Sequence, residues 1–249
     1  MPGKFSQQSD LYARYRPEYP QEMYDFLFSH VHKKEYAWDC ATGSGQVAKE
    51  LARQFNNVYA TDISEEQLKH APEIDNVTYK VEPAENTTLP DSKCELITAA
   101  QAIHWFDIPE FYREVRRVAS ADGILAVIGY GMVRISESAN PLVNRLYDEA
   151  FNTYFTKSRE LLDNHYRDLP FPFEEIPTPS FAYTDLWTIR ELEGYFNSWS
   201  AIQKIKTDEG RNPADQTIAA LGEKLPDKEN IPVHFPVFLR LGKVHVPNS

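Results

Sequence analysis

The sequence predicts a doubly wound α/β fold, in which helices cover both faces of a mostly parallel sheet. Two observations support this prediction. Short apolar runs with the length of buried strands alternate with segments of helical periodicity through the first half of the chain. A loop of small residues separates the first strand from its helix, and the first two strands both end in a carboxylate. Because strands that alternate with helices need right-handed crossovers, they form a parallel sheet.

The first half of the chain supplies five strands and four helices. The first helix begins at Pro20, where proline is favoured, and repeats apolar residues at helical spacing. Ser64 and Gln67 have the spacing of a capping box. The strands are mainly apolar, as is typical of parallel strands that are buried on both faces. The predicted strands are 35–40, 57–61, 77–81, 96–100 and 124–128, and the predicted helices are 20–33, 47–55, one opened by Ser64 and 109–118.

The regular alternation stops after Gly131. Asn140-Pro141 opens a long helix with one apolar face, Thr188 and Glu191 form a second capping box, and another helix begins at Pro213. Two further strands, 181–183 and 233–241, bring the predicted sheet to seven strands, and Pro236 predicts a bulge or a strand start. No linker divides the chain, so residues 1–249 are predicted to form one domain. Residues 1–34 and 132–180 are predicted to form a helical cap over it.

The loop after the first strand carries the strongest functional signal. Residues 39–45 read Asp-Cys-Ala-Thr-Gly-Ser-Gly, and the second strand ends at Asp62. Glycine allows the backbone to contact a ligand closely, because it has no Cβ. A carboxylate at the end of the second strand can accept hydrogen bonds from both hydroxyls of a ribose. The pattern therefore predicts a nucleoside cofactor at the carboxyl ends of the strands.

Two nucleoside cofactors are compatible with this loop. Residues 43–48 fit the G-x-G-x-x-A form of the dinucleotide fingerprint, and Asp62 lies near the position expected for a ribose contact. Asp39 favours S-adenosylmethionine instead. Its carboxylate would repel the pyrophosphate of a dinucleotide, whereas it attracts the ammonium and sulfonium of S-adenosylmethionine.

Five segments of the chain resemble the class I S-adenosylmethionine-dependent methyltransferases, and specifically the branch similar to trans-aconitate methyltransferase. One segment departs from the family pattern, because Ala41 stands where these proteins usually have glycine. The resemblance implies a Rossmann-like methyltransferase fold, S-adenosylmethionine as the cofactor and methyl transfer to a small molecule. The segments are Tyr-Ala-Arg-Tyr-Arg-Pro-Glu-Tyr-Pro at 12–20, the loop 39–45, Asp62, Ala-Gln-Ala-Ile-His-Trp-Phe-Asp at 100–107 and Gly-Tyr-Phe-Asn-Ser-Trp-Ser at 194–200.

The matched segments also imply which residues form the site. His104 and Trp105 are the candidate catalytic residues, since they follow the fourth strand at the edge where ligands bind. His104 has three possible roles: a general base, a cation or donor for a carboxylate, or a residue that only braces its loop. Trp105 and Tyr15 are expected to line the methyl-transfer pocket. The candidate cofactor-binding residues are Tyr15, Arg16, Asp39, Ala41, Gly43, Gly45, Asp62, Ile63, Ala84, Glu85, Ala100 and Gln101.

Methyl transfer depends less on a catalytic triad than on a pocket whose shape aligns the acceptor and excludes water. Alignment of the acceptor with the methyl carbon can supply roughly 7–11 kcal/mol. The resemblance implies that the acceptor is a carboxylate oxygen of a small organic acid. Such a group is ionised at pH 7 and needs no base, and Arg16 or His104 could bind it. The alternatives are O- or N-methylation of a phenol or amine, and a non-catalytic protein that binds S-adenosylmethionine and acts through a partner surface.

Composition limits the partners and the compartment. The chain has 26 Lys and Arg against 37 Asp and Glu, a net charge of −11, and therefore lacks the basic surface of a nucleic-acid binder. Cys40 and Cys94 form no metal-binding or disulfide pattern, so both are expected to be buried thiols in a reducing compartment. No metal site is predicted. Without an apolar leader or a membrane-spanning run, the protein is expected to be cytoplasmic; its oligomeric state is not predicted.

Overall fold

The computed structural model describes residues 15–154 and 156–244, although the side chains of 153–159 are not part of the description. Residues 1–14 of the predicted cap therefore lie outside the described residues. The strands are β1 (Tyr36–Cys40), β2 (Asn57–Asp62), β3 (Val77–Val81), β4 (Cys94–Ala100), β5 (Ala119–Tyr130), β6 (Glu174–Ile176), β7 (Phe181–Trp187) and β8 (Ile231–Lys243). The α-helices are α1 (Gln21–Ser29), α2 (Gln46–Leu51), α3 (Glu65–Leu68), α4 (Ile108–Val118), α5 (Asn140–Tyr154), α6 (Thr156–Asp163), α7 (Ile189–Asn197), α8 (Ser200–Glu209) and α9 (Pro213–Lys224).

The sheet has the predicted parallel core. Its order is β3-β2-β1-β4-β5-β8, and the pairs among β1 to β5 are all parallel. The last strand, β8, pairs with β5 in the antiparallel direction. The strand order reverses between β1 and β4, so their carboxyl ends open a crevice at the position where open α/β sheets bind ligands.

Within the described residues the sheet contains eight strands rather than the seven predicted, because the position beside β8 is divided between β6 and β7. Both β6 and β7 pair with the same side of β8, at 243–241 and 237–231 respectively. Pro177 and Pro179 lie between the two segments, and neither has an N–H to continue the ladder. The prolines therefore interrupt the strand that pairs with β8, and its two parts are counted as β6 and β7.

Alternate residues of the central strands pack into two separate cores. Ala37 and Leu96 belong to the core that also contains Met23 and Leu27 of α1. Their neighbours Trp38 and Ile97 belong to the core that contains Phe111 of α4, on the opposite face. Side chains alternate between the faces of a strand, so this division shows that both faces of the sheet are covered. Cys40 and Cys94 are buried free thiols, as predicted.

Several local predictions need correction. Helices α6 and α8, strand β6 and a 3-10 turn at Ile103–Trp105 were not predicted. The capping box at Thr188 is formed, but at Ser64 only the serine caps its helix, because the Ser64 N–H is held by Asp62. Pro236 neither starts nor bulges β8, whose register with β7 is continuous. No helix within the described ranges is long and apolar enough to cross a membrane.

Candidate active site

Asp62, at the end of β2, holds the loop that follows β1. Its Oδ2 accepts a hydrogen bond from the Gly43 N–H at 2.9 Å, and its Oδ1 accepts one from the Ser64 N–H at 2.8 Å. The residue is 9 % exposed. A carboxylate has about four lone-pair sites, so each oxygen retains one with which to accept a ligand hydroxyl. Asp62 can therefore bind both hydroxyls of a ribose while it fixes the loop.

The loop reaches this position through three residues in the left-handed region. Ala41, Gly43 and Gly45 have φ values of 52°, 58° and 79°. A Cβ on Gly43 would meet no atom within 4 Å, whereas a Cβ on Gly45 would lie 2.9 Å from the Tyr79 hydroxyl and 3.2 Å from Pro72. Gly43 therefore leaves room at the ligand side of the loop, and Gly45 allows α2 to pack closely against β3.

Ala41 is strained by its positive φ, and replacing it with glycine should relieve the strain. We expect Ala41→Gly to raise the free energy of unfolding by about 1 kcal/mol, because a Cβ in the left-handed region costs roughly 1–2 kcal/mol and the added flexibility of unfolded glycine cancels part of the gain. Urea unfolding measures the change, with Ala52→Gly in ordinary helical backbone as the control that should lose stability. A less stable Ala41→Gly protein would contradict the assignment of strain.

Asp39 lies beneath the loop rather than in contact with the ligand space. It is 1 % exposed, and it accepts hydrogen bonds from the Thr42 hydroxyl at 2.5 Å and from the Thr98 hydroxyl at 2.7 Å. Burial raises the pKa of Asp39 to about 6, although both threonine hydrogen bonds oppose the shift. Asp39 is thus an ionised carboxylate at neutral pH, and it adds negative potential under the site.

A cavity of about 310 Å³, the edge cavity, opens between the ends of β1, β2 and β4. Two exposed apolar residues line it, since Ile63 is 76 % exposed and Trp105 is 56 % exposed. Two exposed apolar side chains that border one cleft suit a flat aromatic ring such as adenine. Nine predicted site residues line this cavity: Ala41, Gly43, Asp62, Ile63, Ala84, Glu85, Ala100, Gln101 and Trp105.

The edge cavity also contains residues that were not predicted, namely Gln67, Glu82, Ala102 and Phe106. Glu82 directly follows β3, so the strand-end rule alone could have found it. Gln67 lies in α3, the short helix that follows Asp62. Its Oε1 is buried without a hydrogen-bond partner among the described residues. A ligand hydroxyl or amino group in the cavity would satisfy this acceptor.

A smaller cavity of about 70 Å³, the aromatic chamber, lies beyond Gln101, which lines both cavities. Arg16 brings a positive charge to it. The guanidinium donates hydrogen bonds to the Tyr130 hydroxyl at 2.7 Å and to the Ser198 carbonyl at 3.1 Å, and it lies 5.9 Å from the Tyr195 ring centre. The described residues that line the chamber are Arg16, Gln101, Tyr130, Gly131, Met132, Tyr147, Phe151, Leu162, Asp163, Tyr195 and Trp199.

Three predicted site residues line a different space. Tyr15, Arg16 and Gly45 border an outer groove of about 600 Å³ on the far side of the loop 43–46. The Tyr15 ring packs directly on Gly194, where a Cβ would lie 2.5 Å from the ring. Arg16 lines both this groove and the aromatic chamber. Tyr15 and Gly45 therefore support the site rather than line the edge cavity.

His104 is not among the described residues that line the edge cavity or the aromatic chamber. Its Nδ1 shares a hydrogen bond of 2.8 Å with the hydroxyl of Tyr166, and its ring packs against Trp105 with the centres 4.8 Å apart. Burial lowers the pKa of His104 to about 4. The imidazole is therefore neutral at pH 7, so this geometry favours the bracing role over that of a cation.

The depressed pKa of His104 predicts how stability changes with pH. The unfolded histidine takes up a proton below pH 6.5 and the folded one only near pH 4, so folding loses stability as the pH falls through this range. We expect His104 to lower the free energy of unfolding by about 2 kcal/mol as the pH falls from 7.5 to 5. Asp39, with its raised pKa, acts in the opposite direction between pH 6 and 4.

Urea unfolding of the wild type and of His104→Asn at pH 7.5 and 5 isolates the contribution of His104 to the pH dependence of stability. Asparagine keeps an amide near the Nδ1 position and does not titrate. The variant should lose less stability on acidification than the wild type. Equal losses in the two proteins would contradict the assignment.

The loop geometry separates the two candidate cofactors. A dinucleotide site uses the free N–H groups of its glycine loop for a pyrophosphate. Here the Gly43 N–H donates to Asp62, and two carboxylates, Asp39 and Asp62, stand at the loop. The acidic setting disfavours a pyrophosphate and suits the positively charged methionine portion of S-adenosylmethionine.

Comparisons with known proteins agree on the family of the chain. Residues 38–127 match the family model of a methyltransferase domain. Over 248 residues the chain is 32 % identical to a candidate methyltransferase of Dictyostelium discoideum, and the match covers 96 % of this chain and 94 % of that protein. An uncharacterized methyltransferase of Schizosaccharomyces pombe is 27 % identical over 209 residues, 80 % of this chain and 79 % of its own.

A solved structure extends the agreement to the fold. A candidate type II methyltransferase from Anaeromyxobacter dehalogenans superposes with a TM-score of 0.82 at 34 % identity, over 92 % of this chain and 98 % of that chain. The residues that line the edge cavity all lie within the part of the chain, 38–127, that matches the family model. The chain belongs to the class I S-adenosylmethionine-dependent methyltransferases.

Proposed function

We propose that this protein transfers the methyl group of S-adenosylmethionine to a small acceptor held in the aromatic chamber. One observation carries the proposal: Gln101 lines both the edge cavity and the aromatic chamber, so the two spaces meet at one residue. Gln101 has a φ of 53°, and its side-chain amide donates to the Tyr130 carbonyl at 3.0 Å. A strained residue held this way fits a junction between cofactor and acceptor.

The residues of the two cavities divide the work of methyl transfer. The cofactor supplies a methyl carbon with a sulfonium leaving group. Asp62 holds the ribose, Ile63 and Trp105 enclose the adenine, and Gln101 marks where the methyl carbon meets the acceptor. Aromatic side chains such as Tyr130 and Trp199 exclude water from the junction and favour a nearby sulfonium. Alignment and dryness are the main contributions that this reaction needs.

We further propose a carboxylate of a small organic acid as the acceptor, in line with the resemblance to the trans-aconitate methyltransferase branch. Arg16 supports this choice, because its guanidinium lines the aromatic chamber and is oriented there by Tyr130 and Ser198. Guanidinium groups bind carboxylates in a forked geometry. The aromatic chamber has a volume of about 70 Å³, which suits the reacting end of a small molecule.

A phenol or amine is the second candidate acceptor, and Asp163 is the observation that favours it. Asp163 also lines the aromatic chamber, and its carboxylate accepts a hydrogen bond from the Tyr147 hydroxyl at 2.9 Å. A carboxylate beside aromatic rings could take the proton that a hydroxyl or amine must lose. It would repel an anionic acceptor, so Arg16 and Asp163 favour different substrates.

Incubation with methyl-labelled S-adenosylmethionine and a panel of acids, phenols and amines tests both candidates. A methyl ester is hydrolysed by mild base and releases labelled methanol, whereas an ether or a methylamine is stable. We expect the label in an acid to be released. Base-stable label in a phenol or amine would replace the acid with the second candidate, and no transfer to any class would favour a protein that binds the cofactor without turnover.

Arg16→Gln shows whether the guanidinium serves the acceptor or the cofactor. S-adenosylhomocysteine has a carboxylate, whereas 5′-methylthioadenosine lacks it. If Arg16 binds the acceptor, the variant should lose turnover of the acid and bind both nucleosides as the wild type does. Selective loss of S-adenosylhomocysteine affinity would assign Arg16 to the methionine carboxylate instead.

A further inference from the structure

The segment 161–169, which begins within the last turn of α6, contacts both parts of the site. Its first residues line the aromatic chamber, since Leu162 and Asp163 belong to that wall. Further along the segment, Tyr166 is 0 % exposed and shares a hydrogen bond with His104, the neighbour of Trp105 in the edge cavity. The segment thus connects the acceptor wall with the cofactor wall by direct contact.

The contacts from Tyr166 to the edge cavity form a continuous stack of rings. The Tyr166 and His104 rings lie 5.8 Å apart and are nearly parallel, with an interplanar angle of 23°. The His104 ring then packs on Trp105 at 4.8 Å. Because the 3-10 turn Ile103–Trp105 is only three residues long, it has little internal structure of its own. Its orientation therefore depends on the packing beneath His104.

The backbone of the segment is held in a strained shape that places Tyr166 there. His165 and Tyr166 have φ values of 54° and 58°, and neither is glycine. Arg240 of β8 fixes this turn, because its guanidinium donates to the Tyr166 carbonyl at 2.6 Å and to the Leu169 carbonyl at 3.1 Å. Two consecutive left-handed residues persist only where the surroundings impose them, and such strain gathers at functional positions.

We propose that Tyr166 is a positioning residue that couples cofactor binding to the acceptor wall. The Tyr166–His104 contact holds Trp105 against the edge cavity and, at the same time, fixes the end of α6 that carries Leu162 and Asp163. A cofactor that packs on Trp105 then stabilises the acceptor wall before the acceptor arrives. Thermodynamic linkage requires the reverse effect as well, so an ordered segment 161–169 strengthens cofactor binding.

The chain offers a matched control for the loss of the Tyr166 hydroxyl. Tyr112 is also buried, and its hydroxyl donates to the Pro170 carbonyl at 2.7 Å, so it anchors the adjoining end of the same stretch to α4. Tyr112→Phe removes one buried hydroxyl contact near the segment without touching His104 or Trp105. A purely structural role for Tyr166 predicts equal effects of Tyr166→Phe and Tyr112→Phe.

Amide hydrogen exchange with and without S-adenosylhomocysteine tests the proposal in the wild type and both variants. We expect the cofactor product to slow exchange at residues 161–169 in the wild type and in Tyr112→Phe, and to have no such effect in Tyr166→Phe. The affinity of Tyr166→Phe for S-adenosylhomocysteine should fall about threefold to tenfold, as expected for one hydrogen bond. His104→Leu breaks the same contact from the other side and should behave like Tyr166→Phe.

The coupling would be overturned by exchange at 161–169 that does not respond to the ligand in the wild type, or by a response that survives in both Tyr166→Phe and His104→Leu. A response lost equally in Tyr112→Phe would also overturn it in favour of a structural role. The inference rests on the proposed acceptor chamber for its meaning, but the experiment uses no acceptor. Its failure is therefore distinguishable from failure of the acceptor assay.

Discussion

Asp62→Ala is expected to weaken S-adenosylhomocysteine binding by about tenfold to a hundredfold. We propose that the carboxylate accepts the ribose hydroxyls while it holds the Gly43 N–H, and a hydrogen bond to a charged group contributes roughly 1.5–3 kcal/mol. Calorimetric titration measures the change. Asp185→Ala is the control, because Asp185 also accepts from a backbone N–H and a hydroxyl but lies outside the edge cavity.

The ligand supplies a second control for Asp62. The wild type should bind an S-adenosylhomocysteine analogue without ribose hydroxyls much more weakly than the natural product, whereas Asp62→Ala should bind the two about equally. Folding is followed separately by urea unfolding. If the folded variant still discriminates between the two ligands as the wild type does, Asp62 does not bind the ribose.

Gly45→Ala is expected to cost about 2–5 kcal/mol of unfolding free energy. A left-handed Cβ costs roughly 1–2 kcal/mol, and overpacking adds about 1–3 kcal/mol, because the new atom would lie 2.9 Å from the Tyr79 hydroxyl and 3.2 Å from Ala71 and Pro72. Gly210→Ala isolates the first contribution, since Gly210 has a φ of 68° and a Cβ added there would meet no described atom within 4 Å. Urea unfolding of both variants gives the difference.

Tyr79 provides the rescue for this prediction. Its hydroxyl is buried with no hydrogen-bond partner among the described residues, so Tyr79→Phe removes the atom nearest to the new Cβ at little cost. The double variant Gly45→Ala/Tyr79→Phe should recover part of the stability lost in Gly45→Ala. Strictly additive effects of the two substitutions would show that the clash with Tyr79 is not the cause.

The cofactor part of the site could be predicted from sequence because it depends on local rules. Strand ends, a glycine loop and an acid after β2 meet at one sheet edge wherever strands are parallel. Gly43 and Asp62 were predicted as cofactor residues on this basis, and the resemblance added Ile63. Trp105 was expected to line the methyl-transfer pocket, but it lines the edge cavity with these three residues. The rule gives the edge of the sheet but not the direction of each side chain there.

His104 and Asp39 show where that rule ends. The 3-10 turn after β4 directs Trp105 to the edge cavity and leaves its neighbour His104 packed on Tyr166, 62 positions away in the chain. Asp39 is the penultimate residue of β1, and its side chain is buried against Thr98 of β4. Both orientations depend on contacts between distant segments, which composition and spacing do not specify.

The aromatic chamber was the least predictable part for the same reason. Its described walls come from segments around residues 16, 101, 130–132, 147–151, 162–163 and 195–199, so they meet only in the folded chain. The Pro-rich stretch 170–179 likewise gave no sign of β6, whose three residues form a strand only because β8 offers a partner. Short elements of this kind are set by tertiary pairing rather than by local propensity.

We propose that the edge cavity binds S-adenosylmethionine rather than a dinucleotide, and every role assigned to its residues depends on that preference. Calorimetric titration of the wild type with S-adenosylhomocysteine and, separately, with NADH tests it most directly. We expect saturable binding of one S-adenosylhomocysteine per chain and no binding of NADH. Tight NADH binding, or no S-adenosylhomocysteine binding by the folded protein, would contradict it.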